Sequence, residues 1–235
     1  MRQSRPPVLV VLILLAVIGF GVWWFAIRDD RPRVLLVGDS LMRQTAPIVE
    51  SALGSDVNMR TEAVNGTGLL SRNQYDWLAK LPGIVDDFDP KVVVVSFNGN
   101  CTPPVGLDPA KPVECDTPEF FQQWEQAAEQ ATAILSSHGA KVFWVLPPPE
   151  VAPQLGQRAK GIGEAYRQLA ARHSEAGIID GHKALADDKG NYEGVAPGPN
   201  GAPLPLRAPD TVHFTEAGAK RFAFPIVLAI APLVD

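Results

Sequence analysis

Two uninterrupted apolar runs, VLLV at 34–37 and VVVV at 92–95, constrain the fold of this 235-residue chain more than any other feature. A strand with one face in water alternates apolar and polar residues, whereas a strand covered on both faces is apolar throughout. Strands of the second kind occur in parallel sheets that carry helices on both sides. The two runs therefore predict central strands of a parallel sheet.

Other β-branched runs alternate with helical stretches along the chain. Strands are predicted at 33–37, 57–64, 91–97, 141–146 and 176–180, and helices at 40–53, 118–138, 160–176 and 222–235. Thr117 followed by Pro118 is a typical helix start, because proline at the first helical position loses no hydrogen bond. This βαβα pattern predicts an α/β fold, with a parallel, doubly wound sheet of about five strands.

The N-terminal stretch VLVVLILLAVIGFGVWWFAI carries no charge. Twenty helical residues span roughly 30 Å, the thickness of a bilayer core. Arg2 and Arg5 precede it, which favours a cytoplasmic N-terminus and an extracytoplasmic domain at the cell membrane. A cleaved signal peptide is the alternative. The predicted organisation is a cytoplasmic tip and transmembrane signal anchor over 1–27, a linker over 28–33 and a domain over 34–235.

The charge and the cysteines narrow the class of protein further. A net charge of −5 with scattered Lys and Arg excludes a nucleic-acid-binding patch. Cys101 and Cys115 would form a disulfide in an oxidising compartment, worth about 3 kcal/mol through loop closure, although two unrelated buried thiols are the alternative. No CxxC, HExxH or close histidine pair suggests a metal, so neither a metal nor a cofactor is expected.

Polar residues follow three of the predicted strands at the point where each strand ends. Gly38-Asp39-Ser40 follows the first strand, Asn65–Gly68 the second and Asn98–Asn100 the third. Asp210 and His213 lie shortly before the last helix. Ligands of open parallel sheets bind beyond the carboxyl ends of the strands. All of these groups are therefore expected at one edge of the sheet.

Together these residues supply what serine acyl chemistry requires. A serine hydroxyl needs a base to take its proton, and His213 is a candidate base for Ser40. Asp210, three residues earlier, can hydrogen-bond the imidazole and fix its tautomer. The backbone N–H groups of Ser40 and Gly68 and the side-chain amide of Asn100 are candidate donors to the oxyanion that forms during attack.

These motifs resemble those of the SGNH/GDSL hydrolases over nearly the whole chain after the predicted anchor. Gly38-Asp39-Ser40-Leu41 matches the first block of the family, and Asp210-Thr211-Val212-His213 matches the fifth. The resemblance implies a three-layer flavodoxin-like fold, with Ser40 as nucleophile, His213 as base and Asp210 as the residue that orients it. It also implies an oxyanion hole formed by Ser40, Gly68 and Asn100.

Two assignments in the oxyanion hole stay open. The second-block glycine is matched by Gly68, with Gly66 as the rival. The third block reads Asn98-Gly99-Asn100-Cys101 where the family usually has Gly-x-Asn-Asp, so Asn98 competes with Asn100 for the amide. Asp39 is expected to shape the turn and to take no part in the chemistry. His138, His173 and His182 are expected to have no catalytic role.

The expected function is a membrane-anchored, extracytoplasmic serine esterase that forms an acyl-enzyme intermediate. Its substrate would be an ester-bearing small molecule, a lipid or an acylated glycan of the cell envelope. An O-acyltransferase that uses the same triad is one alternative, and a non-catalytic envelope-binding module is another. The sequence does not predict an oligomeric state.

Overall fold

The computed structural model describes residues 29–234, which contain a five-stranded parallel sheet and a small two-stranded antiparallel one. In chain order the elements are β1 (Arg33–Gly38), α1 (Ser40–Leu53), β2 (Asn58–Ala63), α2 (Trp77–Phe88), β3 (Val92–Ser96), α3 (Pro118–Leu135), β4 (Lys141–Val145), α4 (Pro153–Arg172), β5 (Ala176–Ile179), α5 (Gly181–Ala184), β6 (Val195–Pro197), β7 (Pro203–Pro205) and α6 (Glu216–Ile230). Residues Pro32–Asp235 form one compact unit.

The main sheet has the strand order β2-β1-β3-β4-β5, and each neighbouring pair is parallel. This is the flavodoxin-like order, whose topological switch point lies between the first and third strands. The predicted α/β fold with a parallel sheet of five strands is confirmed. Because β1 lies between β2 and β3, the three polar turns of the sequence leave neighbouring strands.

Helices cover both faces of this sheet in a three-layer arrangement. Leu35 and Val37 of β1 belong to the core shared with α2, α3 and α4. Val34 and Leu36 belong to the opposite core, shared with α1 and α6. All four side chains are fully buried, which explains why this strand shows no alternation of apolar and polar residues.

Three helices and one strand pair depart from the sequence-based expectations. Helix α2 was not predicted, because Pro82 and Gly83 interrupt its pattern, yet Trp77 and its apolar neighbours bury one face of it in the core. Helix α4 begins at Pro153, upstream of the predicted start, and α6 begins at Glu216, where Thr215 caps it. The Pro-rich stretch 186–210 contains the β6–β7 pair.

The predicted transmembrane anchor lies outside the described residues. Within residues 29–234, none of the helices combines the length and the apolar character that crossing a membrane requires.

Candidate active site

Ser40 is the first residue of α1 and lies immediately beyond the carboxyl end of β1. The turn requires glycine at position 38, since a Cβ atom there would lie 2.3 Å from the carbonyl oxygen of Ser96 and 2.7 Å from Cβ of Met42. Asp39 caps the helix by accepting a hydrogen bond from the Leu41 N–H at 3.0 Å. The N–H of Ser40 has no partner among the described residues and is free to bind an anion.

Ser40, His213 and Asp210 form a continuous hydrogen-bonded chain. Nε2 of His213 lies 3.0 Å from Oγ of Ser40, and Nδ1 of the same ring lies 2.7 Å from Oδ2 of Asp210. Oδ1 of Asp210 also accepts the N–H groups of Val212 and His213, at 3.0 and 2.9 Å. The hydrogen bonds from the His213 side chain and from these backbone groups lower the pKa of Asp210 to about 2. Asp210 is therefore ionised at neutral pH and can stabilise an imidazolium.

The turn that carries His213 is fixed from two sides. Gln44 of α1 donates to the carbonyl of Phe214 at 3.3 Å and accepts the Phe214 N–H at 3.1 Å. Arg207 donates from Nη1 to the Val212 carbonyl at 2.5 Å, and its guanidinium lies 4.9 Å from the ring centre of Phe214. These contacts hold the imidazole against the helix that begins with Ser40.

Gly68 and Asn100 lie next to each other at the same edge of the sheet. A Cβ atom on Gly68 would lie 2.7 Å from the carbonyl oxygen of Asn100. The Asn100 amide donates to the carbonyl of Thr67 at 3.1 Å, and the Gly68 N–H has no partner among the described residues. Gly66 is exposed, has a φ of +73° and has open space around it. The structure thus brings Gly68, and not its rival, against Asn100.

Asp39 holds both asparagines of the third turn, a role that the sequence did not indicate. Its Oδ2 accepts the backbone N–H of Asn98 at 2.8 Å and the Asn100 side chain at 3.1 Å, and its Oδ1 accepts the Asn98 side chain at 3.1 Å. Burial raises the pKa of Asp39 to about 6, although these hydrogen bonds oppose the effect. Asp39 therefore couples the turn that carries Ser40 to the turn that carries Asn98 and Asn100.

The turn after β3 is also fastened from α4. Tyr166 donates from its hydroxyl to the Phe97 carbonyl at 3.1 Å, and Arg158 donates to the Gly99 carbonyl at 3.1 Å. Arg158 is itself paired with Asp116, at 2.5 and 2.7 Å. The predicted disulfide between Cys101 and Cys115 is present and closes the following loop. The Asn100 amide is therefore held in a preorganised turn.

A buried ion pair lies next to the turn that carries His213, formed by Glu150 and Arg207, which are far apart in the sequence. Oε1 of Glu150 lies 3.8 Å from Nη1 of Arg207, which donates from Nη2 to the Pro149 carbonyl at 2.8 Å. Burial raises the pKa of Glu150 to about 7, while the charge of Arg207 lowers it. No local pattern indicated this pair, because only the tertiary fold brings the two residues together.

The remaining histidines lie apart from Ser40. His138 is near Asp86 and Asp89, His173 is near Glu129 and Glu175, and His182 contacts the carbonyl of Gly190. Within residues 29–234, no three His, Cys, Asp or Glu side chains group together in a way that could hold a metal ion.

A flavodoxin-like sheet with a GDSL turn after its first strand and an Asp-x-x-His turn before its last helix has the architecture of the SGNH/GDSL hydrolases. Solved structures with this fold include TesA, which is 18% identical to this chain. That match covers 86% of this chain and 99% of TesA, with a TM-score of 0.56. The chain belongs to the family described as "Protein of unknown function (DUF459)", whose model matches residues 33–229.

Two further solved structures have the same fold at low sequence identity. A GDSL-like lipase from Bacteroides thetaiotaomicron is 14% identical, with 91% of this chain and 96% of that chain covered and a TM-score of 0.58. The C-terminal catalytic domain of peptidoglycan O-acetyltransferase A from Streptococcus pneumoniae is 19% identical, with coverages of 86% and 94% and a TM-score of 0.54. A comparison with curated protein sequences gave no match.

Proposed function

We propose that this protein is a serine ester hydrolase that acts through an acyl-enzyme intermediate. The observation that carries the proposal is the hydrogen-bonded chain from Ser40 Oγ through His213 to Asp210. A nucleophile, a base and a group that orients the base, each within hydrogen-bond reach of the next, are what nucleophilic catalysis by serine requires.

In the first step His213 takes the hydroxyl proton of Ser40, and Oγ forms a bond to the ester carbonyl carbon. The carbonyl oxygen becomes an oxyanion, which the N–H groups of Ser40 and Gly68 and the Asn100 amide are placed to receive. The Asn100 amide must release one of its two present acceptors, Asp39 or Thr67, to do so. His213 then gives its proton to the leaving alcohol as the carbon–oxygen bond breaks.

In the second step a water molecule gives a proton to His213 and attacks the acyl carbon. The proton returns to Oγ of Ser40 as the acid leaves. The partners are therefore expected to be ester-bearing small molecules, lipids or acylated glycans.

Hydrolysis of p-nitrophenyl acetate by the full chain tests the proposal. Ser40→Ala is expected to lower kcat at least a thousand-fold, because the triad loses its nucleophile. Ser51→Ala, an exposed position of the same helix, is the matched control and should leave kcat unchanged. A Ser40→Ala protein that keeps the wild-type rate would refute the mechanism. A wild-type protein that is inactive on every ester and resists a fluorophosphonate probe would support a non-catalytic binding module.

An O-acyltransferase is the second candidate, supported by the fold that this chain shares with the Streptococcus pneumoniae O-acetyltransferase domain. In this reaction a sugar hydroxyl replaces water in the second step. Adding an alcohol acceptor to the assay separates the two candidates. A transacylated product that forms faster than free acid would favour transfer.

We also propose an extracytoplasmic location with an anchor at the N-terminal apolar stretch. The disulfide between Cys101 and Cys115 supports it, since such bonds persist in oxidising compartments. Protease treatment of intact cells should degrade the domain, and protection until the cells are lysed would contradict this placement.

A further inference from the structure

A cavity of about 650 Å³ lies beyond the carboxyl end of β4, where it is lined by Leu146 and Pro147. Its walls come from the turn after β4, one face of α4 and the segment around Tyr192. Its volume lies in the range of small-molecule sites. The catalytic mechanism uses none of the groups that line it.

Part of the α4 face that lines the cavity carries only small residues, which leaves room beside the helix. Gly156, Ala159 and Gly163 lie three or four residues apart, and all three line the cavity. A Cβ atom on Gly163 would have no neighbour closer than 3.6 Å. Close packing of α4 against the turn after β4 therefore does not require a glycine at position 163.

Glu150 lines the same cavity, and its carboxyl group accepts no hydrogen bond from the described residues. Only 9% of its side chain is exposed. Oε2 has no partner, and Oε1 lies 3.8 Å from Arg207, beyond hydrogen-bond distance. Buried polar groups of folded proteins are almost always hydrogen-bonded to protein or to water, so the unpaired Glu150 carboxyl group is an acceptor available to a molecule in the cavity.

Glu150 also links the cavity to the chemistry. Arg207, its ionic partner, donates to the carbonyl of Val212, the residue directly before the catalytic His213. Tyr192, on another wall, lies under the same guanidinium at 5.5 Å. A molecule in the cavity would therefore lie against residues that support the turn that carries His213.

The lining favours a ligand that is rich in hydroxyl groups over a hydrocarbon chain. Tyr192 and Pro147 offer flat apolar surfaces, while Lys160 and Arg167 add exposed cations on the α4 wall. A hydrocarbon chain would leave the Glu150 carboxyl group both desolvated and unsatisfied, which is costly. Hydroxyl groups can donate to Glu150 while the carbon face of a ring covers the apolar wall.

We propose that this cavity binds the sugar part of an acylated carbohydrate, with Glu150 as an acceptor for a sugar hydroxyl. The inference rests on the proposed esterase function and names its substrate class. The alcohol released from the ester when Ser40 is acylated would then be a sugar. The ring of this sugar would lie in the cavity.

Three esters separate the contributions of the sugar hydroxyls, the ring and the acyl chain. 6-O-Acetylglucose carries free hydroxyls, cyclohexylmethyl acetate has a ring of the same size without them, and p-nitrophenyl octanoate carries a long acyl chain. For the wild-type protein we expect kcat/KM on 6-O-acetylglucose to exceed that on cyclohexylmethyl acetate at least ten-fold. Equal values for the two would overturn the proposal.

Gly163→Leu fills the cavity from α4, where the added side chain has room. We expect it to lower kcat/KM on 6-O-acetylglucose relative to p-nitrophenyl acetate at least ten-fold. Gly83→Leu, a glycine in α2 with no atom within 4 Å of an added Cβ, is the matched control and should leave the ratio unchanged. A loss confined to p-nitrophenyl octanoate would assign the cavity to the acyl chain and overturn the sugar assignment.

A binding measurement tests the sugar site independently of esterase activity. Saturation-transfer NMR on the Ser40→Ala protein should show contact with the ring protons of 6-O-acetylglucose, and Gly163→Leu should abolish it. Contact that persists in the filled variant would refute the cavity assignment even if esterase activity is established. Contact that is lost as expected, in a protein without esterase activity, would support the site and refute the proposed function.

Discussion

The two glycines that compete for the oxyanion hole can be separated by adding one methyl group to each. A Cβ on Gly68 would lie 2.7 Å from the carbonyl oxygen of Asn100 and 3.0 Å from the ring of Trp124. Ordinary contacts begin at 3.4 Å, so Gly68 and Asn100 would have to separate by about 0.7 Å. Both candidate donors would move with their backbones.

The expected cost of Gly68→Ala follows from that displacement. Loss of one oxyanion donor lowers kcat by about 10²–10³, and a misplacement of about 1 Å costs about 10². We therefore expect a decrease of about 100-fold in kcat, or about 2.7 kcal/mol of barrier. Overpacking against Trp124 should also lower the free energy of unfolding by about 1–3 kcal/mol.

Gly66→Ala is the matched change two residues away. Its φ of +73° is unfavourable for alanine, which should cost about 1–2 kcal/mol of stability, but no atom lies within 4 Å of the added carbon. Rates on p-nitrophenyl acetate and urea unfolding, measured for both variants, give the comparison. A larger loss of kcat in Gly66→Ala than in Gly68→Ala would refute the assignment of Gly68.

Three further predictions concern the groups around this donor. Asn100→Ala should lower kcat about 100-fold and Asn98→Ala less than ten-fold, and the reverse order would assign the amide to Asn98. Burial raises the pKa of Asp39 from 3.8 to about 6, so the folded protein keeps this proton to higher pH than the unfolded chain does. Its stabilising contribution is complete below about pH 4 and falls by about 3 kcal/mol as the pH rises through 6. Between pH 4 and pH 7 the free energy of unfolding in urea should fall by this amount more for wild type than for Asp39→Asn. An equal change in the two proteins would contradict the prediction. Replacing Cys101 and Cys115 by serine should lower the free energy of unfolding by about 3 kcal/mol in the same assay, because the disulfide constrains the unfolded chain. An unchanged free energy of unfolding would contradict this prediction.

The sequence predicted the sheet well because its strands are buried on both faces. VLLV and VVVV have no alternation to misread, and β1 and β3 lie within one residue of the predicted bounds. Helix α2 was missed because Pro82 and Gly83 suggest a break, whereas burial of Trp77 and its neighbours stabilises the helix in spite of them. Local sequence patterns therefore predict strands that are buried on both faces. They do not predict a helix that is stabilised mainly by tertiary packing.

The candidate site also contains residues that the sequence predicted and residues that it did not. The meeting of Ser40 and His213 was predictable, because each lies in a short motif directly after a strand or before a helix. The hydrogen bonds of Asp39 to both asparagines, and the contact of Glu150 with Arg207, join residues from different parts of the chain. Such pairings leave no periodicity or motif in one sequence, so only the folded arrangement reveals them.

The wide separation of Ser40 and His213 along the chain, 173 residues, has a consequence for the timing of activity. A growing polypeptide contains Ser40 early, but Asp210 and His213 are synthesised together, shortly before the last helix. Until α6 docks against α1, Ser40 lacks its contact with His213. Under the proposed mechanism, an incompletely folded chain should not hydrolyse esters, and the onset of hydrolysis would report that folding is complete.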